Sequence, residues 1–176
     1  MKSFNELESL DLRWEQPDMW KRRYELRSSE GELIAVLTRP SWWRQVAEIE
    51  SLGNRWAFER KGFWRQRIEI RSIGTGDSPA TFEYGALHQG GRLIFPDGRS
   101  LRWGSTNFWS TKWAWMTEDG TPIVGFRTGG IFKTNSEVDL DPLLAGQKAL
   151  PLLVMLGWYL ILLQREDSAS VVVAAS

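Results

Sequence analysis

Two hydrophobic periods divide this chain. Up to about residue 140 apolar and polar positions alternate with a period of two, the signature of half-buried strands. Trp20, Arg22, Tyr24 and Leu26 alternate with Lys21, Arg23, Glu25 and Arg27, and Ser28-Ser29-Glu30-Gly31 turns the chain into Glu32–Arg39. Val46–Glu50 passes through Ser51-Leu52-Gly53-Asn54 into Arg55–Arg60, and Lys61-Gly62 leads into Trp64–Arg71. Thr81–Tyr84 is a short strand. Arg92–Phe95 turns at Pro96-Asp97-Gly98-Arg99 into Ser100–Trp103, and Thr111–Met116 turns at Glu118-Asp119-Gly120 into Thr121–Arg127. Asp-Gly is strong hairpin chemistry, because glycine supplies the positive φ of a tight turn. About ten to twelve strands at this spacing predict a sandwich or a barrel.

The second pattern is an unbroken apolar run, Ala149–Leu163, with no charge and no polar face. A helix apolar all round must be buried in protein or in lipid. Asp141 before Pro142 fits an N-cap with proline at the first helical position, so the expected helix covers about 142–165, with Pro151 either kinking it or starting a second one. Val171-Val172-Val173 reads as a last strand or a tail. Phe4, Leu7 and Leu10 would line one side of a short N-terminal helix. As a helix the apolar run spans about 22 Å at 1.5 Å per residue, against about 30 Å for a bilayer core. Strands of about seven residues tilted by about 40° make a wall about 18 Å tall. The run matches the wall better, and Trp158 and Tyr159 lie mid-run rather than at the ends where a membrane span carries them. The expected architecture is mainly β, a single domain over 1–176: a closed antiparallel barrel of about twelve strands around a central hydrophobic C-terminal α-helix.

Composition narrows the chemistry. Lysine plus arginine balance aspartate plus glutamate at 22 each, so no whole-molecule field favours nucleic acid. There is no cysteine and one histidine, His88, in the turn-like His88-Gln89-Gly90-Gly91. Disulfides, thiolate metal sites, cysteine nucleophiles and multi-histidine metal clusters are excluded. No catalytic constellation, metal site or cofactor motif emerges, and the expectation is a non-enzyme with no cofactor and no nucleic-acid partner. The N-terminal segment has acidic residues and no apolar h-region, so it reads as no secretory signal, and the default location is cytoplasmic. Eleven tryptophans exceed ordinary usage several-fold; wide strand faces on a core account for them, with carbohydrate stacking or a membrane-interface belt as functional alternatives.

The Glu30-Gly31, Asp97-Gly98 and Asp119-Gly120 hairpins, Trp113-Ala114-Trp115-Met116, and the run Leu150–Leu163 together resemble the tubby C-terminal fold, and more closely the superfamily of LURP-one-related proteins and phospholipid scramblases. The likeness covers about 20–165 and extends to uncharacterised bacterial proteins ending in a similar Pro-Leu-Leu…Gly-Trp-Tyr-Leu run. It implies a barrel of twelve strands around a hydrophobic helix, and association with membrane phospholipid. No segment matches the family's phosphoinositide residues position by position, and the palmitoylated cysteine cluster of scramblases is missing.

Glu59-Arg60-Lys61-Gly62-Phe63-Trp64-Arg65-Gln66-Arg67 is the densest basic segment. Its cations beside aromatic side chains suit an anionic lipid headgroup or a nucleic-acid backbone, although the solvated face and turn of a hairpin is the plainer reading. Arg60, Lys61, Arg65 and Arg67 are the candidate headgroup residues. The functional expectation is a non-enzymatic binding or scaffold protein at anionic phospholipid surfaces, cytoplasmic and peripheral at the membrane. The alternatives are a protein–protein interaction module and a C-terminally tail-anchored membrane protein.

Overall fold

The structure is a computed structural model and describes residues 4, 11–40, 46–51, 53–62, 66–85, 90–129, 135–141 and 147–174. The strands are β1 (Leu12–Glu15), β2 (Arg23–Ser28), β3 (Leu33–Thr38), β4 (Val46–Ser51), β5 (Asn54–Lys61) and β6 (Arg67–Ser72). They continue with β7 (Thr81–Tyr84), β8 (Gly90–Ile94), β9 (Ser100–Ser105), β10 (Lys112–Met116), β11 (Pro122–Thr128) and β12 (Ser136–Leu140). Each pairs antiparallel with its chain neighbours, and β1 closes the ring on β12 through Leu12↔Val138 and Trp14↔Ser136. The result is a closed up-and-down barrel, which leaves no edge strand for another chain to extend.

Alternation decides which side chains fill the lumen. Trp14, Leu26, Leu37, Ile49, Phe58, Ile68, Ile70, Phe82, Leu93, Trp115, Val124 and Phe126 point inward and are buried, while charged residues such as Arg13, Arg71, Arg92 and Arg127 stay outside. The wall surrounds one helix, α1 (Leu150–Ala174). Every residue of α1 from Leu152 to Leu163 is buried, which is why the run can be apolar all round: it faces wall in every direction. Trp158 stacks on Trp14 at 5.8 Å and meets Tyr24 edge-on at 5.9 Å, and Tyr159 lies 5.8 Å from Phe58. Trp115 on the wall donates its Nε1–H to the Leu153 carbonyl at 2.8 Å. Gly157 lets the Phe126 ring approach the helix backbone, since a Cβ there would lie 2.3 Å from Phe126 Cζ.

Several expectations need correction. The described helix does not extend back to Asp141. The Asp141 N–H still bonds the Ile123 carbonyl at 3.2 Å, which extends the β12 pairing and leaves Asp141 on the wall. Pro142 lies outside the described residues. The described helix α1 begins at Leu150 with Pro151 in its first turn, in keeping with the reading of Pro151 as a helix start, and there a missing N–H costs no intrahelical bond. Nor does it stop near 165: Gln164–Asp167 continue the helix, and Val171-Val172-Val173 belong to it as well. The strand foreseen from Trp20 starts only at Arg23, and β1 and β12 are additional strands. Phe4 is buried; Leu7, Leu10 and His88 lie outside the described residues.

Candidate functional site

An up-and-down wall sends alternate connections to opposite ends, and here the two ends differ in chemistry. The connections β2–β3, β4–β5, β8–β9 and β10–β11 are tight turns with Gly31, Gly53, Gly98 and Gly120 at φ of 81°, 78°, 85° and 89°. Their described residues include Glu30, Asp97 and Asp119 and no large exposed apolar side chain, while the longer β6–β7 connection at the same end exposes Ile73 at 39 %. The opposite end receives β1–β2, β9–β10 and the C-terminal turns of α1. There Met19 is 82 % exposed, Trp20 94 %, Phe108 91 % and Trp109 79 %. Trp42, Trp43 and Trp64, which the sequence places between β3 and β4 and between β5 and β6, lie outside the described residues.

Polar side chains fix both loops from below, so their apolar residues face solvent. In the β1–β2 loop Asp18 Oδ1 accepts the Trp20 N–H at 2.9 Å, the Asp18 carbonyl accepts the Lys21 N–H at 3.1 Å, and Gln16 Nε2 donates to the Lys21 carbonyl at 2.9 Å. In the β9–β10 loop Asn107 Oδ1 accepts the N–H groups of Thr111 and Lys112, each at 3.0 Å, and its Nδ2 donates to Thr111 Oγ1 at 2.8 Å. Trp113 Nε1 donates to the Ser110 carbonyl at 2.9 Å. Phe108 and Trp109 then stand edge-to-face, 5.3 Å apart, above this frame.

Inside that rim the C-terminal turns of α1 meet a collar of arginines. Arg39, its side chain 1 % exposed, grips Glu166 with both terminal nitrogens, Nη2 at 2.9 Å from Oε2, while its buried Nε has no partner. Arg22 lies 3.8 Å from the same carboxylate and is tied to Arg39 by the Arg39 N–H bond to the Arg22 carbonyl. Arg60 bridges to Asp167 at 3.0 Å, donates through Nε to Gln66 at 2.9 Å, and lies 5.3 Å over the Tyr84 ring. Arg165 donates to the Gly129 carbonyl at 3.2 Å. Among the described residues, this collar sets four guanidiniums against two carboxylates.

The environment shifts several protons. Burial pushes the Tyr84 hydroxyl up to about 12, with Arg60 opposing and Asp167 assisting. Burial likewise raises Tyr159 and Tyr24, against the nearby Arg39. Burial lowers Arg165. Arg60 moves the other way: burial is the largest single influence and works against its charge, but the hydrogen bond to Asp167 and the nearby Asp167, Tyr84 and Tyr159 together outweigh it.

The proposed headgroup residues divide into two groups. Arg60 is turned inward, bonded to Asp167 and only 7 % exposed at its side chain. Lys61 and Arg67 are cross-strand partners on the outer face and converge on Glu69, at 2.8 Å and 2.9 Å, with Glu59 3.4 Å from Lys61. Those bonds hold the Glu69 carboxyl below its usual range, through Lys61 first and Arg67 second, and raise Lys61 in turn. Arg65 lies outside the described residues. Sequence reasoning missed Arg22, Arg39 and Arg165 and the four exposed apolar residues. The signal available was the apolar pair Phe108-Trp109 in a segment without strand alternation; Trp20 carried no such signal, because it continues the alternation of β2.

The described helix is not long and apolar enough to cross a membrane. At the tight-turn end an open recess of about 570 Å³ is floored by Phe95, Leu101, Ile123, Leu150 and Leu153, and its rim charges Arg99 and Glu118 are paired with Asp97 and Arg92. In comparisons with known proteins the chain matches no family model, no curated protein and no solved structure.

Proposed function

We propose that this protein is a non-enzymatic binding or scaffold protein that docks end-on against anionic phospholipid surfaces. The observation that carries the reading is the co-location of Met19, Trp20, Phe108 and Trp109, all largely exposed, on two connections at one end of the barrel. Tryptophan and phenylalanine partition into the headgroup layer, and cations beside them favour anionic lipid. The helix supports a binding role over catalysis, because it fills the lumen in which a barrel would otherwise hold a substrate. The resemblance to tubby-like and scramblase proteins points the same way. On this reading contact comes through the loop tips and the exposed collar cation Arg22. Lys61 and Arg67, with Arg65 nearby in the sequence, add long-range attraction from the outer face.

Vesicle flotation tests the proposal. Wild-type protein is expected to float with vesicles holding about 30 % anionic lipid and to stay behind with neutral ones. Trp20→Ser combined with Trp109→Ser is expected to lose binding at unchanged thermal stability, since both side chains are in solvent. Equal recovery with neutral and anionic vesicles, or full binding by the double variant, refutes it. A chain that never floats but captures itself or another protein through Trp20 and Trp109 indicates the interaction module instead.

A further inference from the structure

We infer that the recess at the tight-turn end of the barrel binds a small neutral molecule with an apolar body and a hydroxyl group, an alcohol or a phenol. The site is independent of docking at the opposite end. The lumen is filled by α1, whose residues Leu152–Leu163 are all buried, and room opens where the helix starts, beside Leu150 and Leu153. There the wall departs from regular pairing. Trp115 opposes Val124 and Met116 opposes Pro122, so Ile123 is an extra residue on β11. A bulge at a barrel rim bends its strand and re-aims a side chain, and Ile123 lines the recess. Phe95 and Leu101 complete the apolar wall. All three pack on the core and yet are only partly buried. The wall is fixed against the helix by the Trp115 Nε1–H bond to the Leu153 carbonyl. At about 570 Å³ the recess has the size of a small-ligand site, and a barrel mouth is a usual place for one.

The charges around the recess are matched with one another. Arg99 bonds Asp97 at 2.7 Å and lies 5.4 Å over the Phe95 ring, and Arg92 bonds Glu118 at 3.2 Å. The start of α1 is no anion cradle either: the Leu150 N–H is given to the Gln147 carbonyl at 3.0 Å, and Pro151 has none to give. A charged ligand would lose hydration here without meeting an uncommitted countercharge, so the occupant is neutral. The polar atoms of the rim are biased towards acceptance. Ser100 Oγ gives its hydrogen to Glu118 at 2.5 Å and keeps its lone pairs. The Glu118 carboxylate has about four acceptor positions, and the bonds from Ser100 and Arg92 leave room for a further donor. Thr117 Oγ1 is engaged by Asp119 and Thr121. A ligand hydroxyl therefore donates to Glu118 or Ser100 while its body lies on Phe95, Leu101 and Ile123.

Equilibrium dialysis with three probes of one ring system tests the site: 2-naphthol, a phenol and so neutral at about pH 7, naphthalene, which lacks the hydroxyl, and the anion 2-naphthoate. The protein is expected to take up one equivalent of 2-naphthol saturably, naphthalene about tenfold more weakly, and 2-naphthoate more weakly still. Leu101→Trp fills the recess and is expected to abolish uptake. Glu118→Ala, at a half-exposed position on the rim, is expected to weaken 2-naphthol to the level of naphthalene and to leave naphthalene unchanged, a split that a merely structural role would not produce. That split decides the matter if Leu101→Trp fails to fold. Trp20→Ser with Trp109→Ser is expected to bind 2-naphthol as the wild type does. Absence of saturable uptake, equal affinity for 2-naphthoate, or an equal effect of Glu118→Ala on 2-naphthol and naphthalene overturns the proposal. So does uptake that survives in folded Leu101→Trp or disappears with Trp20 and Trp109, which would place the probe elsewhere.

Discussion

Gly157→Ala is expected to destabilise the barrel, although alanine is the better helix former. The added Cβ would lie 2.3 Å from Phe126 Cζ and 2.5 Å from Cε2. Ordinary contact begins near 3.4 Å, so helix and ring must separate by about 1 Å. Phe126 has nowhere to retreat: it is 1 % exposed and meets Trp103 edge-on at 5.5 Å. Overpacking of a tight core costs about 1–3 kcal/mol, and a contact this short belongs at the upper end. Removing a mid-helix glycine returns about 1 kcal/mol. The net loss is about 2 kcal/mol, which for a chain of this length lowers the melting temperature by about 4–8 °C. Urea denaturation followed by tryptophan fluorescence measures it. The same substitution in a Phe126→Leu background, where the ring is gone, is expected to be neutral or stabilising by up to about 1 kcal/mol. A stabilising Gly157→Ala in the Phe126 protein, or an equal cost in both backgrounds, would refute the reasoning.

Three further outcomes are expected. Glu166→Gln leaves the Arg39 guanidinium buried without its countercharge; the loss is about 2 kcal/mol by chemical denaturation, less than for a fully enclosed pair because Glu166 is 40 % exposed. Tyr84 titrates from an ordinary 10.0 up to about 12, so the stability held by its neutral hydroxyl is whole below about pH 10 and lost as pH climbs to about 12. The loss is about 3 kcal/mol, and Tyr84→Phe should flatten the alkaline fall measured by urea titration. Asn107→Ala removes the acceptor shared by Thr111 and Lys112 and is expected to cost about 1 kcal/mol, with changed near-ultraviolet circular dichroism from Trp109.

The barrel was legible because strand alternation and Gly turns are local signals, and the buried helix because nothing else accommodates a run apolar on every side. Its limits were not local. Asp141-Pro142 is good N-cap chemistry, but pairing with Ile123 claims Asp141 for the wall. Four consecutive charged or polar residues, Gln164–Asp167, looked like a terminus, yet they are where the post is clamped by Arg39 and Arg60 on distant strands. The candidate site was partly legible. Arg60 stood out through its basic neighbours, but its burial and its partner Asp167 depend on the helix threading the barrel. Trp20 was read into a strand by alternation, and only the observed start of β2 at Arg23 leaves it exposed.

The closure of β1 on β12 has a consequence for how the chain is made. The two strands that seal the ring are separated by almost the whole wall, and the post that fills it follows both. As the chain emerges during synthesis, the twelve strands can form their eleven sequential pairings, but their inner faces have nothing to cover them until Leu150–Leu163 has been synthesised. Contacts this distant in sequence make folding slow, and the unfinished barrel is a curled sheet with an apolar lining. Completion is therefore a late, all-at-once event in which sealing the seam and seating the helix stabilise one another, and a nascent chain halted before α1 is a natural client for chaperones.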